Sequence, residues 1–482
     1  MNKNNFLSAF KWSYLAYIVP NLILPFFTIY IAQLLSPKDY GIFTINLIFV
    51  GLLNSFQTSG FRPFIIKEKD ISQEQKSTLF FFSVFIGLFG YFILSLISPI
   101  ISFFFNEPLI KETLPILGIV LVFNSLSIVQ LSFLEKKLQF KKIFFIRILP
   151  LLCVLCVTLP FVLNGYGYKA LIFGEIAKSL SLSLSYILFY KWFPSFTFNI
   201  KYCIESFHFG KWVSFETILE YLLPNLDKII IGYFFNTNLL GVYAMARQVV
   251  NILFGFITAG ITPVLMPLFK IYINDKKKFQ NTLSEVFKNT IFINFSLLFF
   301  ISLFSIQIFE FLLPEWSQLG LFIILISIGE ACVRSINPSR DLFKLFNKPK
   351  IYPRNLVINN MISIILFPIT CYYFALTGFF LVKILNDLLY FFLQYFSLNR
   401  LLKNQLSFYF KFLSSIVTIN AIIFLINHSI IQFFSLKIDG FIHLIFNVIL
   451  SLALFIFFHR SFNRVFFLRF IRTFKQIIVT NA

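Results

Sequence analysis

The 482-residue chain contains few charged side chains. Asp, Glu, Lys and Arg make up 13% of it, whereas a soluble domain has about a quarter. Hydrophobic residues make up 58%, Phe alone occupies 72 positions, and the mean hydropathy is +0.83. The apolar residues occur in runs of about 20, the length that a helix needs to cross a bilayer. They do not alternate in short segments, which argues against an outer-membrane barrel. The composition therefore predicts an all-α integral membrane protein.

The scarcity of cysteine and the absence of a nucleotide-binding motif exclude further classes of function. The five cysteines are scattered, and Cys153 and Cys156 lie in an apolar segment without nearby His or acidic residues, so no metal or redox site is predicted. No loop of the form G-x-x-x-x-G-K-[ST] is present, which argues against an ATP-driven pump. The net charge of +21 does not require a nucleic-acid partner, because basic residues gather in the cytoplasmic loops of membrane proteins and the basic residues of this chain follow that pattern. We expect no cofactor and no enzymatic activity.

One segment of the chain recurs after 200 residues. Residues 11–63 align with residues 211–263 without a gap, and 13 of the 53 aligned positions are identical. Gly41 thereby corresponds to Gly241, and Pro63 corresponds to Pro263. A membrane chain built from two copies of one unit has two lobes, which can rock against each other around a site held between them. The repeat therefore predicts a two-lobed transporter.

Apolar runs divided by polar breaks predict fourteen transmembrane spans. They cover residues 11–34, 40–59, 79–104, 112–133, 143–163, 169–192, 209–234, 239–269, 284–312, 317–346, 353–374, 376–399, 408–427 and 441–459. Basic residues test this count, because they gather in cytoplasmic loops. Thirty-two of the 41 lie near the N-terminus, in every second loop or after residue 459. This alternation predicts that both termini are cytoplasmic.

The charge pattern also orients the repeat. Six spans separate the two copies, so both enter the membrane from the same side and are related by an axis along the membrane normal. The predicted organisation is an N-terminal lobe of spans 1–6 (residues 1–200) and a C-terminal lobe of spans 7–12 (residues 201–400). Residues 401–482 add two spans and a basic cytoplasmic tail.

Four short segments carry a family resemblance. They are L-S-P-K-D-Y-G-I-F at 35–43, P-N-L-D-K-I-I-I-G at 224–232, L-G-V-Y-A-M-A at 240–246 and Q-F-K-K at 139–142. In this order and spacing they resemble the polysaccharide-biosynthesis (Wzx-type) flippases of the multidrug/oligosaccharidyl-lipid/polysaccharide exporter superfamily. The likeness covers nearly the whole chain.

The resemblance implies a MATE-like fold and a function. Such a flippase moves undecaprenyl-pyrophosphate-linked oligosaccharides across the bacterial cytoplasmic membrane by alternating access, for synthesis of a surface polysaccharide such as O-antigen or capsule. Its partners would be membrane lipids, the polysaccharide polymerase and glycosyltransferases. A cation-coupled drug or metabolite antiporter and a lipid II flippase remain alternatives on the same scaffold. A polytopic polysaccharide polymerase is a further alternative, but it would need a larger outward loop than this chain is predicted to have.

Basic side chains within or beside the spans are candidates for substrate binding. Arg247 is the first choice for the pyrophosphate, because its planar fork binds two oxygens and stays ionised. Asn251 lies on the same predicted helix face. Arg62 either meets the pyrophosphate as it enters or anchors the chain at the cytoplasmic surface. The remaining candidates are Lys178, Lys228 and Arg334.

Acidic side chains within the spans are candidates for cation coupling or charge balance, because a charge in hydrocarbon costs roughly 2.5–3.5 kcal/mol. Glu216, Glu220 and Asp227 fall within about 40° on a helical wheel and predict one acidic stripe, which Pro224 interrupts. They either couple transport to a cation or neutralise Lys228, Arg247 or Lys178. Glu330, four residues before Arg334, either pairs with it or lines the cytoplasmic vestibule. The same choice applies to Glu175 beside Lys178 and to Asp387 beside Lys383 and Gln394.

Overall fold

The structure, a computed structural model, describes residues 23–24, 26–68, 70–137, 139–190, 192–403, 405–434, 440–464 and 466–467. Most of predicted span 1, the Lys11-Trp12 start of the repeat and the tail from residue 468 lie outside these ranges. The helices are α1 (Pro37–Lys67), α2 (Gln73–Phe104), α3 (Leu109–Ser125), α4 (Ile128–Lys136), α5 (Phe140–Leu163), α6 (Tyr168–Tyr190), α7 (Ile200–Leu222), α8 (Leu226–Phe234), α9 (Thr237–Tyr272), α10 (Lys276–Leu312), α11 (Leu319–Ser335), α12 (Ser339–Leu345), α13 (Ile351–Leu401), α14 (Phe408–Phe434) and α15 (Gly440–Phe462).

Capping residues start several of these helices at polar breaks in the sequence. The Ser36 hydroxyl accepts the backbone N–H of Asp39, whose side chain accepts the Ser36 N–H in return. Ser72 and Gln75 form the same reciprocal arrangement at the start of α2. Each arrangement satisfies two N–H groups that a helix start would leave without partners. The helices therefore begin where the predicted loops lie.

Several helices have the length and composition of membrane spans. Eight of those in the described ranges pass this test, and the α3–α4 pair, bent by 41°, makes nine if it forms one span. One of the eight, α13, has 51 residues, over twice the length that one crossing requires. It breaks at Ala375 (φ 49°, ψ −136°), between predicted spans 11 and 12. The protein is a multi-pass membrane protein, whereas the total of fourteen spans and the cytoplasmic termini stay predictions.

The two faces of α2 illustrate how membrane helices bury their surface. Its buried face carries small or polar residues among the apolar ones, including Ser83, Gly87, Gly90 and Ser98. Its exposed face carries large apolar side chains, namely Phe85, Phe89, Phe92, Leu96, Ile100 and Phe103. Small residues let helices approach closely, while large apolar ones face the lipid. This distribution places α2 at the lipid-facing surface.

Packing divides the chain into two compact units. The first comprises Met1–Gln248 with Leu313–Ser317, and the second comprises Val249–Leu312 with Gln318–Ala482. These units are defined by packing, whereas the predicted lobes of residues 1–200 and 201–400 are defined by the repeat and stay a prediction. In the first unit α1 packs along α7, where Gly51 makes room for the Tyr221 ring. The Tyr221 hydroxyl donates to the Leu47 carbonyl at 3.1 Å.

Equivalent glycines of the two sequence copies meet within the first unit. A Cβ on Gly41 would lie 1.8 Å from the Thr237 carbonyl oxygen, and a Cβ on Gly241 would lie 1.8 Å from the Pro37 carbonyl oxygen. Residues 37 and 237 are themselves equivalent in the repeat. The first turns of α1 and α9 therefore cross in reciprocal contact, which we call the glycine crossing.

Polar side chains hold this region together. Glu107 is buried and bridges the two copies, because Lys38 lies 3.2 Å from its Oε2 atom and the Thr237 hydroxyl donates to the same oxygen at 3.1 Å. The Trp316 indole N–H donates to the Ala32 carbonyl at 2.8 Å. The glycine crossing is thus supported by an ion pair and by hydrogen bonds on either side.

The second unit contains residues 249–272 of α9 and the helices α10 to α15. Ser305 of α10 donates to the carbonyl of Gly320 on α11 at 2.6 Å. The Asn420 amide of α14 donates to the Phe295 carbonyl of α10 at 3.2 Å, and the His459 ring contacts the same amide at 3.1 Å. Interhelical hydrogen bonds of this kind stabilise helix pairs in lipid. The core of this unit therefore contains polar contacts as well as apolar side chains.

Candidate functional site

A break in the helical backbone builds the first cluster of candidate residues. Between α7 and α8, Leu223–Asn225 forms a single 3₁₀ turn that contains Pro224. Because proline has no N–H and cannot support the α-helical hydrogen-bond pattern, carbonyl groups of the preceding turn are freed at this point. Asp227 follows directly, in the first turn of α8, and is buried. The break therefore places polar backbone and side-chain groups inside a predicted span.

Asp227 is the centre of this cluster. Its Oδ2 atom accepts the Tyr243 hydroxyl at 2.6 Å and a guanidinium N–H of Arg247. Its Oδ1 atom accepts the backbone N–H of Lys228 at 2.8 Å. Hydrogen bonds to a buried carboxylate compensate for its loss of water. Asp227 is thus held in place by three donors and in turn holds Arg247.

The 3₁₀ turn also contacts both cations. Arg247 donates to the Pro224 carbonyl at 2.7 Å through the same nitrogen that contacts Asp227. The Lys228 ammonium donates to the Asn225 amide oxygen at 3.0 Å, and the Asn225 amide donates to the Tyr221 carbonyl at 2.8 Å. The cluster therefore places two cations beside one carboxylate. Such an excess of positive charge, largely removed from water, suits an anionic ligand.

The predicted acidic stripe is divided by the 3₁₀ turn. Glu216 and Glu220 are exposed on α7 and form no ion pair with any described residue, whereas Asp227 is buried and paired. Three residues of 3₁₀ helix advance by about 120° each instead of 100°, which rotates the following helix by about 60°. The helical wheel assumed a continuous α-helix and therefore could not place Asp227 correctly.

A second cluster joins three candidates within the second unit. The Arg334 Nε atom donates to Glu330 at 2.7 Å, and its Nη2 atom donates to the Asn251 amide oxygen at 2.9 Å. The guanidinium carbon lies 5.7 Å from the centre of the Phe254 ring. The predicted salt bridge between Glu330 and Arg334 is present, and Asn251 belongs to the same cluster.

The remaining candidates form separate pairs. Arg62, at the end of α1, donates to both oxygens of Glu135 on α4, and its side chain is 47% exposed. Lys178 contacts both oxygens of Glu175 at 2.7 and 2.9 Å. Asp387 pairs with Lys383 on α13. Within the described ranges none of these pairs joins the Asp227 cluster, and their role in charge balance or in transport stays a prediction.

Sequence reasoning missed Tyr243 and Asn225. The repeat alignment contains a clue to the first, because the cluster residues Asp227, Tyr243 and Arg247 occupy the positions of Phe27, Phe43 and Leu47. Every substitution in this set adds a polar group to an apolar position of the first copy. A comparison of the copies at hydroxyl-bearing residues, as well as at charged ones, would have found Tyr243.

The fold and the clusters define a class of protein, a polytopic membrane protein with charged side chains inside its predicted spans. The chain superimposes on the lipid II flippase MurJ in an inward closed conformation with a TM-score of 0.72 at 16% identity, covering 96% of this chain and 99% of MurJ. An inward-facing multidrug resistance MATE family transporter gives a TM-score of 0.56 at 12% identity, over 81% of this chain and 96% of the other. The predicted MATE-like fold is therefore confirmed.

The family follows from sequence. The family model described as polysaccharide biosynthesis protein matches residues 30–319, and the chain belongs to this family. The lipopolysaccharide biosynthesis protein WzxC of Escherichia coli is 24% identical over 295 residues, which are 60% of this chain and 59% of WzxC. The chain spans about half the length of the curated relatives that it matches. The predicted membership of the polysaccharide-biosynthesis family is confirmed.

Proposed function

We propose that the protein is a flippase of the bacterial cytoplasmic membrane, which moves undecaprenyl-pyrophosphate-linked oligosaccharide units to the outer leaflet for surface polysaccharide synthesis. Membership of the polysaccharide biosynthesis family supports the substrate class. The MurJ-like fold supports a transporter architecture. Membrane lipids would surround the prenyl chain, and the polymerase and glycosyltransferases would act before and after translocation.

The observation that carries this proposal is the Asp227 cluster. Arg247 and Lys228 lie beside a single carboxylate at a broken helix within a predicted span. An arginine in such surroundings is expensive unless it meets an anion, and its planar fork matches the oxygens of a pyrophosphate. A pyrophosphate is the anionic part of the proposed substrate. The cluster is therefore suited to the group that links the sugar to the lipid.

The geometry suggests an exchange of partners. An incoming pyrophosphate would take Arg247 from Asp227, whose carboxylate would keep the Tyr243 hydroxyl and the Lys228 backbone N–H. Release of the substrate would restore the Asp227–Arg247 pair. Arg247 therefore has an anionic partner in either state, and the Asp227 carboxylate keeps two hydrogen bonds while Arg247 holds the substrate. Alternating access would carry this exchange from one side of the membrane to the other.

Reconstitution tests the role of Arg247. The full chain in liposomes should move a fluorescent polyprenyl-pyrophosphate oligosaccharide between leaflets, measured by loss of quenching by an impermeant reagent. Arg247→Ala should abolish this movement, and Arg247→Lys should restore a minor part, since an ammonium cannot bind two oxygens in a plane. The matched control is Arg400→Ala, which removes an exposed arginine from the end of α13. Full activity of a folded Arg247→Ala variant would refute the assignment.

Deletion in cells separates the alternatives. Flippase function predicts that lipid-linked oligosaccharide accumulates in the inner leaflet while surface glycan is lost. Unchanged surface glycan with altered drug tolerance would instead indicate a drug antiporter. Accumulation of lipid II with cell lysis would indicate a role in cell-wall synthesis.

A further inference from the structure

A buried polar stripe runs along the second half of α13, in the second unit. Lys383, Asp387, Tyr390 and Gln394 are spaced by four, three and four residues, which places them on one face of the helix. They are 7%, 8%, 6% and 1% exposed. Four polar side chains buried in register inside a membrane protein are costly and require an explanation beyond packing.

The ion pair at one end of the stripe is tightly held. The Lys383 ammonium lies 2.8 Å from each carboxylate oxygen of Asp387. The lysine precedes the aspartate by four residues, and this order is less favourable in a helix than the reverse. Burial of an ion pair is also weak as a source of stability, because both charges lose their water. The pair is therefore better explained by a function than by stabilisation of α13.

A glycine on the neighbouring helix makes room for the carboxylate. A Cβ on Gly329 of α11 would lie 2.1 Å from the Asp387 Oδ2 atom and 2.7 Å from its Cβ atom. Any larger residue at this position would push the Asp387 side chain away. The space that the Asp387 side chain occupies is thus bounded by two helices, α11 and α13.

The other end of the stripe contains buried polar atoms whose hydrogen-bonding capacity is not filled. Among the described residues, the Tyr390 hydroxyl, both polar atoms of the Gln394 side chain and the Asn359 side-chain oxygen form no hydrogen bond of good geometry, although Tyr352 and Gln394 lie beside the Tyr390 hydroxyl. A buried polar group without a partner costs about 1–3 kcal/mol. Native proteins usually satisfy such groups with ordered water. These atoms therefore indicate a hydrated path.

Paired polar side chains line both ends of this path. Ser363 donates to the Asn386 amide oxygen near the ion pair, and Asn355 donates to the Ser397 hydroxyl at 3.1 Å near the end of α13. Asn355, Asn359 and Ser363 share one face of the first half of α13, since they are four residues apart. A polar seam thus connects the two halves of α13, from the ion pair to the end that carries Arg400.

We propose that Asp387 is the proton-coupling carboxylate of the transport cycle and that this polar seam gives protons access to it. The proposal rests on the proposed flippase function, to which it adds the coupling ion. In the resting state Asp387 is ionised and paired with Lys383. Uptake of a proton makes it a neutral acid and releases the ammonium.

The chemistry of this step balances without a further reactant. A hydronium ion delivered through the seam breaks one of its O–H bonds and leaves as water, while an O–H bond forms on Asp387. The ionic contact with Lys383 is lost, and no electron is transferred. The site then changes from neutral to one positive charge. A buried ammonium without an anionic partner is unfavourable, so the protonated unit is driven towards a conformation that exposes the ammonium to more water. Proton release reverses the change.

The bound ammonium favours a proton over a metal cation. A sodium ion would have to compete for a carboxylate whose two oxygens already contact Lys383. A proton forms a covalent bond to one oxygen and needs no room for a coordination shell. Lys383 therefore serves as the counter-cation of Asp387, and a proton is the cation that displaces it.

Other ionisable groups surround the seam. On the packed elements these include Glu330, Cys332 and Arg334 of α11, Arg340, Asp341 and Lys344 of α12, and Tyr352, Arg354, Cys371 and Tyr395 of α13. Glu330 and Arg334 form a pair, and the Arg340 guanidinium carbon lies 4.9 Å from the centre of the Tyr352 ring. A test must therefore assign any titration to Asp387 itself.

Infrared difference spectroscopy of the purified full chain provides that assignment. As the pH is lowered, the carboxylic acid C=O band of a protonated aspartate should appear, and Asp387→Asn should remove a part of it that Asp275→Asn, an exposed loop control, does not remove. An unchanged band in Asp387→Asn would overturn the proposal. The infrared measurement needs no substrate, so it tests the protonation of Asp387 independently of lipid transport. A failure of the transport assay alone would contradict the proposed flippase function and not the assignment of Asp387.

Liposomes with an imposed pH gradient and a clamped potential test coupling. A gradient of about one pH unit corresponds to about a tenfold driving ratio, and it should accelerate movement of the labelled lipid by the wild-type chain but not by Asp387→Asn. If that variant does not fold, the apolar double variant Lys383→Met with Asp387→Leu keeps the test valid, since such replacements of buried pairs are often tolerated. A persistent pH response in a folded variant, or a wild-type response to a sodium gradient alone, would refute the proposal.

Discussion

Substitution of Gly241 by alanine should separate the two helices of the glycine crossing. The added Cβ would lie 1.8 Å from the Pro37 carbonyl oxygen, and ordinary contact begins at 3.4 Å, so the first turns of α1 and α9 must move apart by about 1.6 Å. The obstacle is backbone, which cannot rotate away as a flexible side chain can. Overpacking of this kind costs about 1–3 kcal/mol, which corresponds to a roughly 5- to 150-fold smaller population of the crossed arrangement.

A cross-linking assay measures this population. Lys38 and Thr237 both contact the same oxygen of Glu107, so cysteines at positions 38 and 237 of a cysteine-free chain should react with a short bifunctional maleimide. Gly241→Ala should slow this reaction. Gly255→Ala is the matched control, because it lies on the same helix and its Cβ would come within 4 Å of no atom of the described side chains and backbone around it. Equal cross-linking rates in both variants would refute the reasoning.

Three further substitutions test other contacts. Tyr243→Phe removes a hydroxyl donor from Asp227 and should lower the free energy of unfolding by about 1.5–3 kcal/mol, measured by denaturation in detergent; an unchanged stability would contradict the described bond. Arg62→Ala should lower the free energy of unfolding by at most about 1 kcal/mol, because the Arg62 guanidinium pairs with Glu135 at a half-exposed position. The variant should still transport the lipid-linked substrate, and loss of transport would support a role of Arg62 in substrate entry. Gly167→Ala should lower the thermal midpoint, since φ is +54° there and a left-handed residue with a Cβ costs about 1–2 kcal/mol.

Much of the helical architecture could be predicted from hydropathy. Predicted spans 3, 5 and 6 correspond to α2, α5 and α6 within a few residues at most ends, because an uninterrupted apolar run has one low-energy structure in lipid. The bend between α3 and α4 and the compact units could not be predicted. They depend on contacts between distant segments, which a one-dimensional pattern does not contain.

The candidate site was predictable in residue type but not in arrangement. The planar, permanently ionised guanidinium makes Arg247 a candidate for phosphate binding, and the cost of a charge in hydrocarbon makes Asp227 a candidate for pairing or cation coupling. Their pairing was one of several alternatives, and the 3₁₀ turn that brings Asn225 and the Pro224 carbonyl to the cluster was not foreseen. A helical wheel has no means to represent a change of helix type, so partners across such a turn require coordinates.

The Asp227 cluster also determines the sign of the charge that the site presents to the membrane potential. With Asp227, Arg247 and Lys228 the empty site carries one net positive charge, and a bound pyrophosphate diester with about two negative charges reverses that sign. A potential that is negative inside favours outward movement of negative charge and inward return of positive charge, each by about 2.3 kcal/mol per charge per 100 mV. Under the proposed function, the resting potential of the cell would therefore assist both the loaded and the empty halves of the cycle.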